Sequence, residues 1–301
     1  MGQGFAPSFG AVGDSGSLPV KIGLNFFPIR MREMPAAAQL ADRLGYNSLW
    51  YGEHVAVPWE YDKSRYPGDL VPFHPDSKIL DPLALLANLA GITERIRLGT
   101  GISILPLHDP LLTARTLTTI DLLSGGRLDL GVGVGWMIDE FEFIGRNFHK
   151  RGEILDEFLD VLDVLWSEPR PEFHGKHFDF RPIGFKPKPL QQPRIPVHVG
   201  GRGTASLRRA ARYEGWYGSA DTPEECRAIR NGIEEFRKQI GVEEQPFEMS
   251  ILMFWQPTRA QIDGYAAAGA DQLVVTPWEP LTDASKALRG IEEFAKEMGM
   301  E

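Results

Sequence analysis

The chain has 301 residues, 43% of them hydrophobic and 24% charged, enough to bury a large core in one barrel-sized domain or two smaller ones. Asp plus Glu number 41 against 32 Lys plus Arg, a formal charge of -9, which argues against nucleic acid or an anionic membrane surface as the main partner. The single cysteine, Cys226, excludes an internal disulfide; no His-Glu-x-x-His or paired-Cys spacing offers a metal cage, no apolar run nears the ~20 residues of a membrane span, and a soluble chain in a reducing, cytoplasmic setting fits best.

Residues 1–18, MGQGFAPSFGAVGDSGSL, are rich in Gly and Ser and lack a basic n-region or an apolar h-region. They read as a flexible tail ahead of a single domain over 19–301. From Lys21 onward short β-rich runs alternate with helical patterns, the signature of a parallel α/β fold. The run from Lys21 to Phe27 is the first strand, and Met34 to Leu44 is a helix with Ala37, Ala38, Ala41 and Leu44 on one face, stopped by Gly45. Asn47 to His54 is the second strand with its exit. Two similar units follow, in which Asp81-Pro82 and Asp109-Pro110 open helices that lead to strands at Ile96 to Thr100 and Arg127 to Gly133. In each, the Asp side chain accepts from orphan amides and Pro takes the first helical position.

Further strands are expected at Pro196 to Gly200, Gly215 to Ser219, Glu248 to Trp255 and Gln272 to Pro277, making eight. Between them Thr204 is expected to cap one helix, while Thr222 with Glu225 and Thr258 with Gln261 have the spacing of capping boxes. Eight strand and helix pairs in this length predict an α/β fold of the (β/α)8 TIM-barrel type. The surplus lies between the fourth and fifth strands, where residues 136–194 form an insertion or lid. It contains a helix from Glu153 to Trp166 and a proline-studded stretch, FKPKPLQQPRIP. Cys226 lies in a charged helical pattern and reads as passive.

A barrel enzyme carries its site at the carboxyl ends of its strands. Those ends supply Asn25 to Phe27, Glu53 and His54, Gly101 and Ile102, Gly133, Gly135 and Trp136, Gly200 and Gly201, Ser219, Trp255, and Pro277 with Trp278. Glycines and aromatics with few ionisable groups suit an extended planar cofactor better than hydrolysis between paired carboxylates. In the stretch SGGRLDLGVGVGW, Gly131, Gly133 and Gly135 fall on alternate positions. They either leave one face bare for a flat ring or phosphate, or mark a bulge. The turn Gly200-Gly201-Arg202-Gly203 has the form of an anion site and equally that of a plain strand-to-helix turn. His54 is either a proton-transfer residue or a satisfied structural histidine. His108, His174 and His177 read as structural, with no metal site.

Taken together, the motifs SLWYGEH, RIRLGTGISILPLHDP, SGGRLDLGVGVGW followed by DEFEFIG and Arg151, and VHVGGRG with EGWYG are similar to those of the luciferase-like monooxygenase superfamily. They most resemble its branch of oxidoreductases that use the deazaflavin coenzyme F420. The resemblance runs from about Lys21 to Trp278. It implies F420, or FMN, at the carboxyl ends of the strands, with phosphate contacts at Gly200, Gly201 and Ser219 and fourth-strand contacts at Gly133, Gly135 and Trp136. An acidic residue and a histidine near the ring fall on Glu53 and His54, the catalytic candidates, and a bulge with a non-prolyl cis peptide falls on Gly101-Ile102.

The family's sugar-phosphate dehydrogenases carry a catalytic carboxylate where Trp136 stands. The substitution favours a more apolar or aromatic substrate, with Trp59 and Tyr61 as pocket lining and with Asp139 and Glu140 structural. The reading is therefore an F420-dependent oxidoreductase acting on a small organic substrate as a homodimer. An FMN-dependent monooxygenase served by a separate reductase is the alternative, and a non-catalytic flavin-binding protein the second alternative.

Overall fold

Eight parallel strands close into a barrel in the computed structural model, which describes residues 18–27, 29–61, 74–278 and 286–300. They are β1 (Lys21–Asn25), β2 (Ser48–Tyr51), β3 (Arg97–Thr100), β4 (Leu128–Val132), β7 (Val197–Val199), β8 (Gly215–Gly218), β9 (Glu248–Leu252) and β10 (Gln272–Val275). A small antiparallel hairpin, β5 (Phe173–His174) with β6 (Asp179–Phe180), falls between β4 and β7 in the chain. Around the barrel the order is β1-β10-β9-β8-β7-β4-β3-β2. The chain is a (β/α)8 TIM barrel of the α/β class, with each strand close to its expected place and one to three residues shorter at its ends. The tail proper, residues 1–17, lies outside the described residues.

The strands are buried on both faces, as a barrel wrapped by helices requires. Outside run α1 (Met34–Arg43), α2 (Pro82–Ala90), α3 (Pro110–Ser124), α5 (Arg151–Ser167), α6 (Thr204–Ala210), α7 (Pro223–Gln239), α8 (Arg259–Ala267) and α9 (Ala287–Met298), with the short α4 (Ile138–Phe143) ahead of α5. Asp81 and Asp109 cap α2 and α3 by accepting from amides of the first turn, each with Pro at the helix start. The Thr258 and Gln261 box closes in both directions.

Two caps depart from expectation. Gly203, not Thr204, is the N-cap of α6, and Thr204 is its first helical residue. Thr222 accepts from Glu225 N, but the Glu225 carboxylate turns to Asp221 N at 2.8 Å, so only half of that box forms. Within the insertion α5 is the barrel's own wall helix. It buries Leu155, Phe158, Leu162 and Trp166, and the Trp166 indole donates to Thr118 Oγ1 of α3. Cys226 is buried and its thiol is pushed up to about 11 by burial, in keeping with a passive role.

Candidate active site

A cavity of about 540 Å³ opens at the carboxyl ends of the strands. Its wall includes Glu53, His54, Gly101, Ile102, Gly133, Gly135, Trp136, Gly200, Gly201 and Ser219, so ten of the expected positions converge on one space. Arg202, Gly203 and Ser206 join them on the β7 side, while Phe27, Ile104, Val134, Leu252 and Phe254 supply apolar surface. The peptide bond between Gly101 and Ile102 is cis. Trp59 lies elsewhere: it is 77% exposed, set edge-on to His74, and outside the cavity wall. Tyr61 is outside the cavity wall and meets the wall residue Trp136, ring centroids 6.0 Å apart.

The glycines do not leave the bare face that alternation suggests. A side chain at Gly131 would run into the Thr100 carbonyl and the Trp50 ring, and one at Gly133 would meet Ile102 Cδ1 at 2.6 Å. At Gly135 it would meet Ile104 at 2.8 Å. Their missing side chains let the exit of β3 press against the exit of β4, and Gly133 and Gly135 reach the cavity by their backbones.

Two carboxylate and histidine pairs tie the strand exits together. Glu53, directly after β2, accepts from Ser103 Oγ at 2.9 Å, Ile104 N at 2.6 Å and His108 Nε2 at 2.6 Å. Burial alone would raise the Glu53 carboxyl, but the His108 hydrogen bond and charge, with the Ile104 and Ser103 donors, outweigh it and hold it below its ordinary value. Burial likewise works against a charged His108, and Glu53 overcomes it, raising the imidazole. The two form an ion pair that pins the bulge after β3.

Glu140, on α4, is the second carboxylate. It is wholly buried and accepts from His54 Nδ1 at 3.0 Å, Val55 N at 2.6 Å and Ala56 N at 3.4 Å. An acceptor at Nδ1 assigns a proton to that nitrogen, which makes Nε2 the nitrogen at which a further proton is gained or lost. The His54 ring also meets Trp136 edge-on, centroids 5.9 Å apart.

Sequence reasoning placed Glu140 and His108 in structural roles; neither is in the cavity wall, and each holds a wall residue, Glu140 holding His54 and His108 holding Glu53. Their detectable signal is position alone, each lying in the segment between a barrel strand and the wall helix that follows it. Asp109 keeps its capping role. On the β7 side Arg202 donates to Ser219 Oγ at 3.0 Å and stands 3.5 Å from Glu225 and 3.8 Å from Asp221. Among the described residues no cluster of His, Cys, Asp and Glu could hold a metal ion, and no helix is long and apolar enough to cross a membrane.

A parallel barrel with a deep, mostly apolar cavity at its strand exits is the form of a barrel enzyme. The chain belongs to the luciferase-like monooxygenase family, whose model matches residues 8–263. It is 30% identical over 244 residues, 78% of this chain and 79% of the relative, to Rv0940c of Mycobacterium tuberculosis. Over 172 residues, 56% of this chain and 43% of the relative, it is 31% identical to the oxygenase component of a flavin-dependent trigonelline monooxygenase of Acinetobacter baylyi. Among solved structures it shares its fold with an F420-dependent secondary alcohol dehydrogenase in complex with an F420-acetone adduct, at a TM-score of 0.75 and 16% identity, covering 93% of this chain and 98% of the other.

Proposed function

We propose that the protein is an F420-dependent oxidoreductase that passes a hydride between the deazaflavin and a small organic substrate. The observation that carries this reading is the division of one cavity into an anion-binding side, Gly200 to Gly203 with Arg202 and Ser219, and a proton-handling side, His54 backed by Glu140. The wall fits such a cofactor. Its volume, about 540 Å³, lies within the ~300 to 1,000 Å³ of pockets that enclose ligands of this size. A side chain at Gly203 would meet nothing within 4 Å, so backbone rather than side chain faces the space beside the guanidinium of Arg202, as an anion needs.

When bound, the deazaflavin supplies the carbon centre that takes up or releases hydride. Arg202, Ser219 and the backbone of Gly200 and Gly201 hold its phosphate. Ile102, at the cis peptide, backs the ring. His54 holds at Nε2 the proton that enters or leaves with the hydride, and Glu140 keeps that ring oriented. Phe27, Trp136, Leu252 and Phe254 exclude water. With Trp136 rather than a carboxylate after β4, this surface favours an apolar or aromatic substrate.

A second reading, an FMN-dependent monooxygenase supplied by a separate reductase, draws on the similarity to the trigonelline monooxygenase. Titrating the apoprotein with F420 and with FMN, followed by quenching of each cofactor's fluorescence, is expected to show tighter binding of F420. Tighter binding of FMN transfers the assignment to the oxygenase, and binding of neither ends both readings. With the preferred cofactor, His54→Ala is expected to cut turnover on the order of a hundredfold while leaving cofactor affinity unchanged. Unchanged turnover removes His54 from the chemistry.

A further inference from the structure

Tyr217 occupies the floor of the cavity and has no role in the mechanism above. It lies on β8, across the barrel from Trp50 on β2, and the two rings stack at 4.5 Å between centroids and 24° between planes. The pair therefore spans the barrel interior and closes the cavity from below. Trp50 is itself anchored, its indole donating to Ser48 Oγ at 2.8 Å. The phenol end of Tyr217 rises beside the cis peptide: a Cβ at Gly101 would lie 2.6 Å from the Tyr217 oxygen, so the glycine makes the space that the hydroxyl fills. The residue is 3% exposed and lines the cavity.

Its hydroxyl makes no hydrogen bond to any described residue, and burial alone raises its pKa far above the usual phenol value. The group is thus a permanent donor at neutral pH. Phenylalanine would fill the same volume and stack on Trp50 equally well, so packing does not account for the oxygen. The hydroxyl is not among the fully sealed unpartnered atoms, and the direction in which it is open is the cavity that Tyr217 lines.

We propose that the Tyr217 hydroxyl is a ligand-contacting group, donating a hydrogen bond from the barrel interior to an acceptor on the polar edge of the bound tricyclic ring. The proposal rests on the reading of this cavity as a flavin or deazaflavin site. It makes Tyr217 a positioning residue that holds the ring against the β3 bulge, distinct from the phosphate contacts on the β7 side.

The test compares wild type with Tyr217→Phe by circular dichroism, by fluorescence titration with FMN and with F420, and by the absorption spectrum of the bound cofactor. Expected is a folded variant whose affinity for the cofactor that wild type prefers falls roughly tenfold, the ratio that corresponds to one neutral hydrogen bond, with a shifted absorption band. Equal affinity and an unchanged band overturn the proposal and leave the cofactor reading standing, because both proteins then bind. Binding of neither cofactor by wild type overturns both. Should the variant fail to fold, wild type labelled at tyrosine Cζ decides: the Tyr217 resonance, assigned through its contact with the Trp50 indole, moves on cofactor addition if the hydrogen bond forms and stays in place if the proposal is wrong.

Discussion

The two ends of the same barrel are built on opposite plans. At the amino end, polar side chains point inward and find partners in the chain itself. Ser48 Oγ donates to Gln272 Oε1 at 2.7 Å, Gln272 Nε2 donates to Ser250 Oγ at 3.0 Å, and Asn47 adds a donor to Gln272. Asp129 is held by Arg97 Nε at 2.7 Å and lies 3.8 Å from His198 Nε2. Burial opposes a charged Asp129, yet the charge and hydrogen bonds of Arg97, with His198 nearby, hold its carboxyl well below the carboxylate range. Only His198 Nδ1 in this group lacks a partner. At the carboxyl end Asn25, Glu53 and His54 also have partners in the chain, but much of the wall is glycine backbone and apolar side chain, with a hydroxyl that has no protein partner. The Trp50 and Tyr217 stack divides the two. The amino end is closed over by its own polar network, whereas the carboxyl end opens on a cavity to which the Tyr217 hydroxyl is turned without a protein partner.

If that contrast holds, variants at the two ends separate stability from binding. The largest effect belongs to Asp129→Ala, which removes the carboxylate from buried His198 and from half-buried Arg97 and is expected to cost about 3 kcal/mol in urea unfolding. Affinity of the surviving folded protein for the cofactor should change little. At the mouth, Gly133→Val drives a branched side chain into Ile102, costing about 1–3 kcal/mol. Its larger consequence is for binding, since displacement of Ile102 reshapes the cavity wall; titration should show most of the cofactor affinity gone. A Gly133→Val protein that binds like wild type would erase the distinction between the two ends.

The smallest effect tests the Glu53 and His108 pair, which is structural although it lies at the mouth. Glu53 is lowered in the fold from 4.5, so its contribution is present above that value and disappears as pH falls through the lowered one. His108 is raised from 6.5, so its contribution is whole below that value and disappears as pH rises through the raised one. Wild type should therefore exceed His108→Ala in stability by the most between about 4.5 and 6.5, by about 1–2 kcal/mol, with the gap closing on both sides. A gap independent of pH would mean that the pair is held by packing alone.

Much of the barrel is legible in the sequence because its signals are local. Asp-Pro helix starts at residues 81 and 109, the Thr258 box and the short β-rich runs each need only a few neighbouring residues to be read. Where a local signal competes with a neighbour in space it misleads. Glu225 has the spacing to close a box with Thr222 yet accepts from Asp221. Alternating glycines promise an open face, but the exit of β3 and the Trp50 ring take that room.

Sequence alone determines that the chain has eight strand and helix units, that its strand exits carry glycines and aromatics rather than metal ligands, and which family's motifs it shares. Only the tertiary structure decides which polar groups meet. Glu140 lies 86 residues from His54, and Glu53 lies 55 residues from His108; Tyr217 stacks on Trp50 from the opposite side of the barrel. The physical reason is that helix starts and strands follow from backbone geometry and side-chain alternation over a few residues. Side-chain hydrogen bonds, by contrast, are settled when barrel closure brings strand exits from distant parts of the chain around one cavity, where burial favours donors that find an acceptor.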